Sequence, residues 1–500
     1  MTYLFASNIS ISNEVEVKNN IGNPIPVTGN INVLQPLAVT DNNSSLTVDG
    51  TVAVNNFPVT QTITGTVDIG NIPEVEIKND SGNPVTIRGN VTATISGSIG
   101  TVSFPATQTD AFGRLRISNP VTLFDSFHRY ADNGSFATAV NGAGSAATFN
   151  ANQGLVDLAI GTASGSYVRR ETLRVFAYQP GKSLLIYTTF IFNTPKANLR
   201  QRVGYFGTNN GFYLEANGTA IRFVKRTGIS GSAVDTVVEQ ASWNIDPMDG
   251  TGPSSITLDP SKAQILFIDM EWLGLGTVRM GFVIDGQFRH CHSFHHANIL
   301  TTTYITTACL PLRLEIENTG ATASASTMKQ VCSTVISEGG YELSGKMRTI
   351  GMQPITAANY NLATANVFYP VASIRLRSTY LDAIVIPKNI ALVGTTQSDF
   401  RYKIISGATI SGGTWVSDLA DSAVEYNLSG TSFTGGTDLR SSYLISTGSQ
   451  SLTVDLRDGD FKFQLQRDSF TATPLTFTLA VAAKSNNDKI LAAIDWEEIT

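Results

Sequence analysis

Two rhythms of apolar and polar residues divide this chain. Over residues 1–110 short alternating runs follow glycine turns: TGNINV (28–33), DGTVAV (49–54), TGTVDI (64–69) and SGSIGTV (96–102). Alternation with period two predicts short strands with one apolar face each. Glycines at 29, 50, 65, 89 and 97 suit the turns, because a residue without Cβ enters the left-handed region freely. The tract also repeats itself. VEVKNNIGNPIPVTGNINV (15–33) returns as VEIKNDSGNPVTIRGNVTA (75–93) with about half of the positions identical, and FPVTQT (57–62) returns as FPATQT (104–109).

Burial is the difficulty for this tract. It holds only Tyr3, Phe5, Phe57 and Phe104 as aromatics, and strands this short bury too little surface to offset the entropy of ordering them. Residues 1–110 are therefore expected to fold against another surface: later domains, sister chains or a different protein. A flexible linker is the competing reading, but linkers are rich in Gly, Ser or Pro and lack an alternating Val/Ile period.

Beyond residue 120 the aromatic density rises. Strands are expected at TLRVFAY (172–178), SLLIYTTFIFN (183–193), RVGYFGT (202–208), GFYLEANG (211–218), AIRFVKRTG (220–228), AQILFIDMEWLG (263–274), TVRMGFVIDG (277–286) and LPLRLEIENTG (310–320). Many strands at short, regular spacing indicate a sandwich or barrel. One helix is expected near 324–336 (SASTMKQVCSTVI). A further β region begins near Gly345, with strands at SIRLRSTYLDAIVIP (373–387), NIALVG (389–394), FRYKIISGATI (400–410), TWVSD (414–418), SLTVDLRDG (451–459), FKFQLQRDS (461–469) and PLTFTLAVAAK (474–484). The expected fold class is all-β: a short-strand repeat tract (1–115), a large jelly-roll or concanavalin-like β-sandwich (116–345) and a second, C-terminal β-sandwich (346–500).

Composition sharpens this. Of 500 residues 42% are hydrophobic, enough for folded domains, while 15% are charged, below the usual share in helix-rich surfaces. Residues 1–110 hold nine acidic and three basic side chains, so the net charge of −6 lies entirely there and the remainder is balanced. No basic face offers itself to nucleic acid. The three cysteines, Cys291, Cys309 and Cys332, form no CxxC and read as small buried hydrophobes. The start, MTYLFASNIS, lacks the basic and apolar regions of a signal peptide, and no run approaches the roughly 20 apolar residues of a membrane span, so a product made in a reducing cytoplasm is expected.

The VxVKNxxGNPxPVxGN unit resembles tracts in virion proteins of tailed phages. So do FPATQT followed by TDAFGRLRISNPVTLFDS (109–126), and LTFTLAVAAKSNNDKILAAIDWEE near the end, which is similar to sequences of large myovirus-type phages of cyanobacteria. The resemblance implies a virion component: a fibre, a neck or baseplate appendage, or a capsid decoration protein. FIDMEWLGLGTVRMGFVIDGQF resembles concanavalin-like jelly rolls in pattern, an analogy of fold that names no ligand.

Candidate chemistry is sparse. RHCHSFHH (289–296) carries four of the five histidines. On a regular strand His290 and His292 share a face and can offer two imidazoles to one transition-metal ion, within one chain or shared between chains; the competing reading is a surface hairpin with exposed histidines. This is the only cofactor the sequence suggests. Asp269 and Glu271 form a D-x-E pair beside Trp272, a pattern that serves glycoside cleavage but also describes any half-solvated strand. Trp243, Trp272, Trp415 and Tyr443 can stack on sugars, yet such residues are more often core. No G-x-S-x-G elbow, P-loop or dinucleotide fingerprint is present, and no catalytic residue is assigned. The expectation is a non-catalytic structural protein of the virion: a homotrimer, docked to other virion proteins through residues 1–110, with cyclic symmetry satisfying every copy. Recognition of a host surface glycan is the alternative, and a polysaccharide hydrolase stands behind both.

Overall fold

The computed structural model describes residues 119–499 apart from 343, 354–359, 448–449 and 457–461. The repeat tract, its expected strands and the TDAFGRLR segment lie outside the described residues. What is described is nearly all β, in four main antiparallel sheets that form two sandwiches.

The first sandwich pairs an eight-stranded with a seven-stranded sheet. The eight-stranded sheet runs Gln287–Phe294, Val278–Ile284, Gln264–Glu271, Ser183–Ile191, Ser326–Ser337, Leu155–Ile160 and Ala146–Asn150, with Val121–Phe127 also paired to Ser326–Ser337. The seven-stranded sheet runs Val234–Glu239, Ala220–Thr227, Gly211–Asn217, Leu199–Phe206, Leu312–Asn318, Tyr167–Thr172 and Phe136–Asn141. Strict alternation explains the pairing. In Ser183–Ile191 every second residue, from Leu184 to Phe190, is buried, and in Gln264–Glu271 Leu266, Ile268 and Met270 follow suit. Their inner faces meet Val203, Leu214 and Ile316 of the other sheet in one core.

The second sandwich faces two five-stranded sheets. One runs Lys346–Gly351, Asp488–Ile499, Ile384–Gly394 and Gln450–Asp455, with Tyr360–Leu362 also paired to Asp488–Ile499. The other runs Val424–Asn427, Tyr369–Leu376, Phe477–Ala483, Ser398–Ser406 and Thr437–Ser446. Trp496, Ile494, Leu392, Leu479 and Tyr402 fill its core.

Three expectations about elements are corrected. The helix near 324–336 is the strand Ser326–Ser337. Met328, Val331, Cys332, Val335 and Ile336 have helical spacing, but a β-bulge between Gln330 and Cys332 shifts the phase of a period-two strand and produces the same pattern. The run 172–178 ends its strand at Thr172. It is apolar on both sides because Phe176 and Tyr178 enter the first core while Val175 and Ala177 pack on Ile384 and Ile386 of the second sandwich. FKFQLQRDS likewise contributes only Arg467–Asp468 to a strand, because Gln464 and Arg467 are turned to the joint between the sandwiches.

That joint is held by specific polar contacts. Arg467 donates to the Glu171 carboxylate at 2.8 Å, to the Thr172 carbonyl at 2.6 Å and to Asp382 at 3.0 Å. Gln464 donates to the Val175 carbonyl at 2.8 Å, and the Arg467 N–H to that of Leu173 at 2.8 Å. Arg313 holds the other Glu171 oxygen at 2.9 Å. Neighbouring pairs extend the charge network over the seven-stranded sheet. Burial pushes the Glu315 carboxyl up, and the guanidinium groups of Arg313, Arg202 and Arg169 more than reverse this, leaving it below its ordinary value.

Candidate functional site

The outward face of the eight-stranded sheet carries the residues singled out in the sequence. Inward residues Leu266, Ile268 and Met270 leave Ile265, Phe267, Asp269 and Glu271 facing out. Cross-strand register then builds rows. Asp269 lies opposite Arg279 on one side and Leu185 on the other, and Phe267 lies between Gly281 and Tyr187. Asp269 and Glu271 thus come together, as the period-two reading requires. Both line a groove of about 500 Å³ with Gly181, Lys182, Ser183, Leu273, Thr277 and Arg279.

The two carboxylates are engaged differently. Asp269 is ion-paired with Arg279, while Glu271 accepts the Thr277 N–H at 3.2 Å. Burial raises the Asp269 carboxyl above its ordinary range; Arg279 opposes this, and the carboxylates of Glu338 and Glu271 add to it. Ser183 donates to Glu338 at 2.9 Å at the groove's far side. Below the groove lies an aromatic group that sequence reading did not assemble. The Phe288 ring packs edge-on to Phe267 at 5.1 Å and tilted to Tyr187 at 6.0 Å. Phe288 is 55% exposed although it belongs to a sheet. Only the register across four strands brings Tyr187, Phe267 and Phe288 together.

The shared face expected for His290 and His292 is not formed. His292 pairs with Met280 and His290 with Gly281, so Cys291 is an extra, bulged residue. Met280 points into the core and Gly281 lies on the outer face, so the two imidazoles stand on opposite sides of the sheet. His290 Nε2 lies 2.9 Å from the Ser293 hydroxyl and 3.2 Å from the His292 carbonyl. His292 Nδ1 accepts the Asn244 N–H at 3.2 Å, and its ring meets Phe294 edge-on. His296 stacks on Tyr304 at 4.0 Å and donates from Nδ1 to the Gly276 carbonyl at 2.6 Å. Burial, chiefly, lowers His292 to about 4, with His290 and His295 adding to it. It also lowers His296 to about 4, against the Gly276 bond. Among the described residues no group of three or more His, Cys, Asp or Glu is placed to hold a metal ion.

The tryptophans differ from one another. Trp243 is core, stacked on Phe223 at 4.1 Å, and Trp272 packs edge-on against Tyr178. Trp415 carries Arg375 over its ring at 4.0 Å, and Tyr443 is 69% exposed on the second sandwich. None of these four lines the groove. Among the described residues no helix is long and apolar enough to cross a membrane.

No family model matches the chain, and no curated protein matches it. Solved structures do. A β-glucanase of Bacillus licheniformis is similar at 12% identity, over 42% of this chain and 97% of its own, with a TM-score of 0.27. Arcelin-5, a lectin-like defense protein from Phaseolus vulgaris, is similar at 12% identity over 44% and 99%, with a TM-score of 0.26. A protein of unknown function from Shewanella oneidensis is similar at 12% identity over 49% and 100%, with a TM-score of 0.29.

Proposed function

We propose that this chain is a non-catalytic structural component of a tailed-phage virion, a homotrimeric fibre, neck or baseplate appendage anchored through residues 1–110. The observation that supports it best is the joint at Arg467. Buried ion pairs, backbone hydrogen bonds and the Val175–Ile384–Ile386 contact fasten the two sandwiches to each other. Rigid coupling of displayed domains suits a protein that holds position and transmits load.

The test is the mass of the full-length protein in solution, together with a map of the particle that counts its copies. A trimer whose residues 1–110 contact a neighbouring virion protein is expected. A stable monomer would count against the assembly reading. Sugar release from host polysaccharide that disappears in Asp269→Asn or Glu271→Gln would replace it with a hydrolase. Capsid decoration is distinguished from an appendage by position in the same map. A second reading, recognition of a host surface glycan, is favoured by the groove itself and is compatible with the first.

A further inference from the structure

The outward face of the eight-stranded sheet has two halves whose chemistries complement one ligand class. The upper half is the groove, where Asp269, Arg279 and Ser183 present oxygen acceptors and N–H donors at its floor. The lower half is apolar, with Phe288 on the edge strand and Tyr187 on the neighbouring strand directly opposite Phe267, the Phe288 ring packing on both. Phe267 and Asp269 are two residues apart on one strand, so the halves adjoin at about 7 Å.

The charges decide what fits. Asp269 and Arg279 neutralise each other, so the floor offers paired hydrogen-bonding groups without a strong field. A polyanion finds Asp269, Glu271 and Glu338 against Arg279 and Lys182, a poor match. An uncharged ligand rich in hydroxyls, with an apolar face to its rings, matches both halves: hydroxyls to the floor and a ring face against Phe288 and Tyr187. The Phe288 and Tyr187 rings pack at 6.0 Å, reaching over the intervening strand at Gly281, so the apolar half is one compact patch about the size of a sugar ring.

The geometry points to a binding site for a neutral polysaccharide, with the packed Phe288 and Tyr187 rings as the stacking surface for one of its sugars and Asp269 and Arg279 as the polar floor beside it. This rests on the glycan-recognition reading and gives it a site and a ligand class. Gly281 is part of the device: a side chain there would collide with the Phe267 ring, on which Phe288 packs edge-on.

The test uses the full-length protein in affinity electrophoresis and calorimetry against dextran, a β-1,4-glucan and galactomannan, with heparin as a polyanion. Retardation by at least one neutral polymer is expected, with none by heparin. Phe288→Ala, exposed and therefore safe for folding, weakens binding at least tenfold. Tyr443→Ala, an exposed aromatic on the other sandwich, leaves it unchanged. Circular dichroism and native mass report folding and assembly for each variant. Binding by none of the neutral polymers, or full binding by a folded Phe288→Ala, overturns the site. A monomeric protein that still binds a neutral polymer overturns the trimer and leaves the site standing.

Discussion

Arg467 of the second sandwich places its guanidinium 2.8 Å from the Glu171 carboxylate of the first, and both side chains are closed to solvent. Neither charge is stable there alone. Glu171 is shared with Arg313, and Arg467 also binds the Thr172 carbonyl, so the desolvated groups satisfy one another. Replacing Arg467 with Leu removes the Thr172 and Asp382 bonds but leaves Arg313 on Glu171. The expected loss is about 3 kcal/mol, at the low end for breaking a buried pair. Scanning calorimetry should show the single transition of the parent splitting in two as the sandwiches uncouple.

Acid should weaken the first sandwich before the second. His292 and His296 are lowered to about 4 in the fold, from an ordinary 6.5. In the unfolded chain both take a proton near 6.5, while the folded chain resists until about 4. Stability is therefore full above pH 6.5 and declines as pH falls from 6.5 to 4. Urea midpoints measured at pH 7.5, 5.5 and 4.5 should fall in that order, and His296→Gln should flatten the decline. An unchanged midpoint at pH 4.5 would show that the imidazoles are not held neutral.

Gly281 should tolerate no side chain. A Cβ there would stand 2.0 Å from the Arg289 carbonyl oxygen and 2.8 Å from the Phe267 ring. Gly281→Ala must open the bulged pairing around Cys291, and the expected cost is about 1–3 kcal/mol. A thermal melt of the variant checks it, and Gly134→Ala, at a site where nothing lies within 4 Å, separates crowding from the strain of a positive φ.

Trp496 should anchor the second sandwich through its ring nitrogen as well as its bulk. It is fully buried and donates to Glu498 at 2.8 Å; Glu498 also accepts from the Ser422 hydroxyl at 2.5 Å and the Ala423 N–H at 3.1 Å. Trp496→Phe removes one donor and leaves a void, at an expected cost of about 2–3 kcal/mol. Urea unfolding measures it. Glu498→Gln keeps the shape and should cost less.

The amino-acid pattern by itself determined that the body of this protein is β, because alternation in runs such as Ser183–Ile191 and Gln264–Glu271 admits one buried face and no helix. It also placed Asp269 and Glu271 on one side of a strand, since two residues apart means the same face wherever a strand is regular. Irregularity is what it could not carry. A one-residue bulge at Cys291 reverses the relation between His290 and His292, and another near Val331 gives a strand the spacing of a helix; neither leaves a local mark, because bulges are set by the neighbouring strand. The strand Asp488–Ile499 takes its place beside Ile384–Gly394 only through the sheet order. The meeting of Tyr187, Phe267 and Phe288, and of Arg467 with Glu171, belongs wholly to the tertiary structure. These pairs are distant in sequence, and only strand order and the packing of one sandwich on the other bring them within reach.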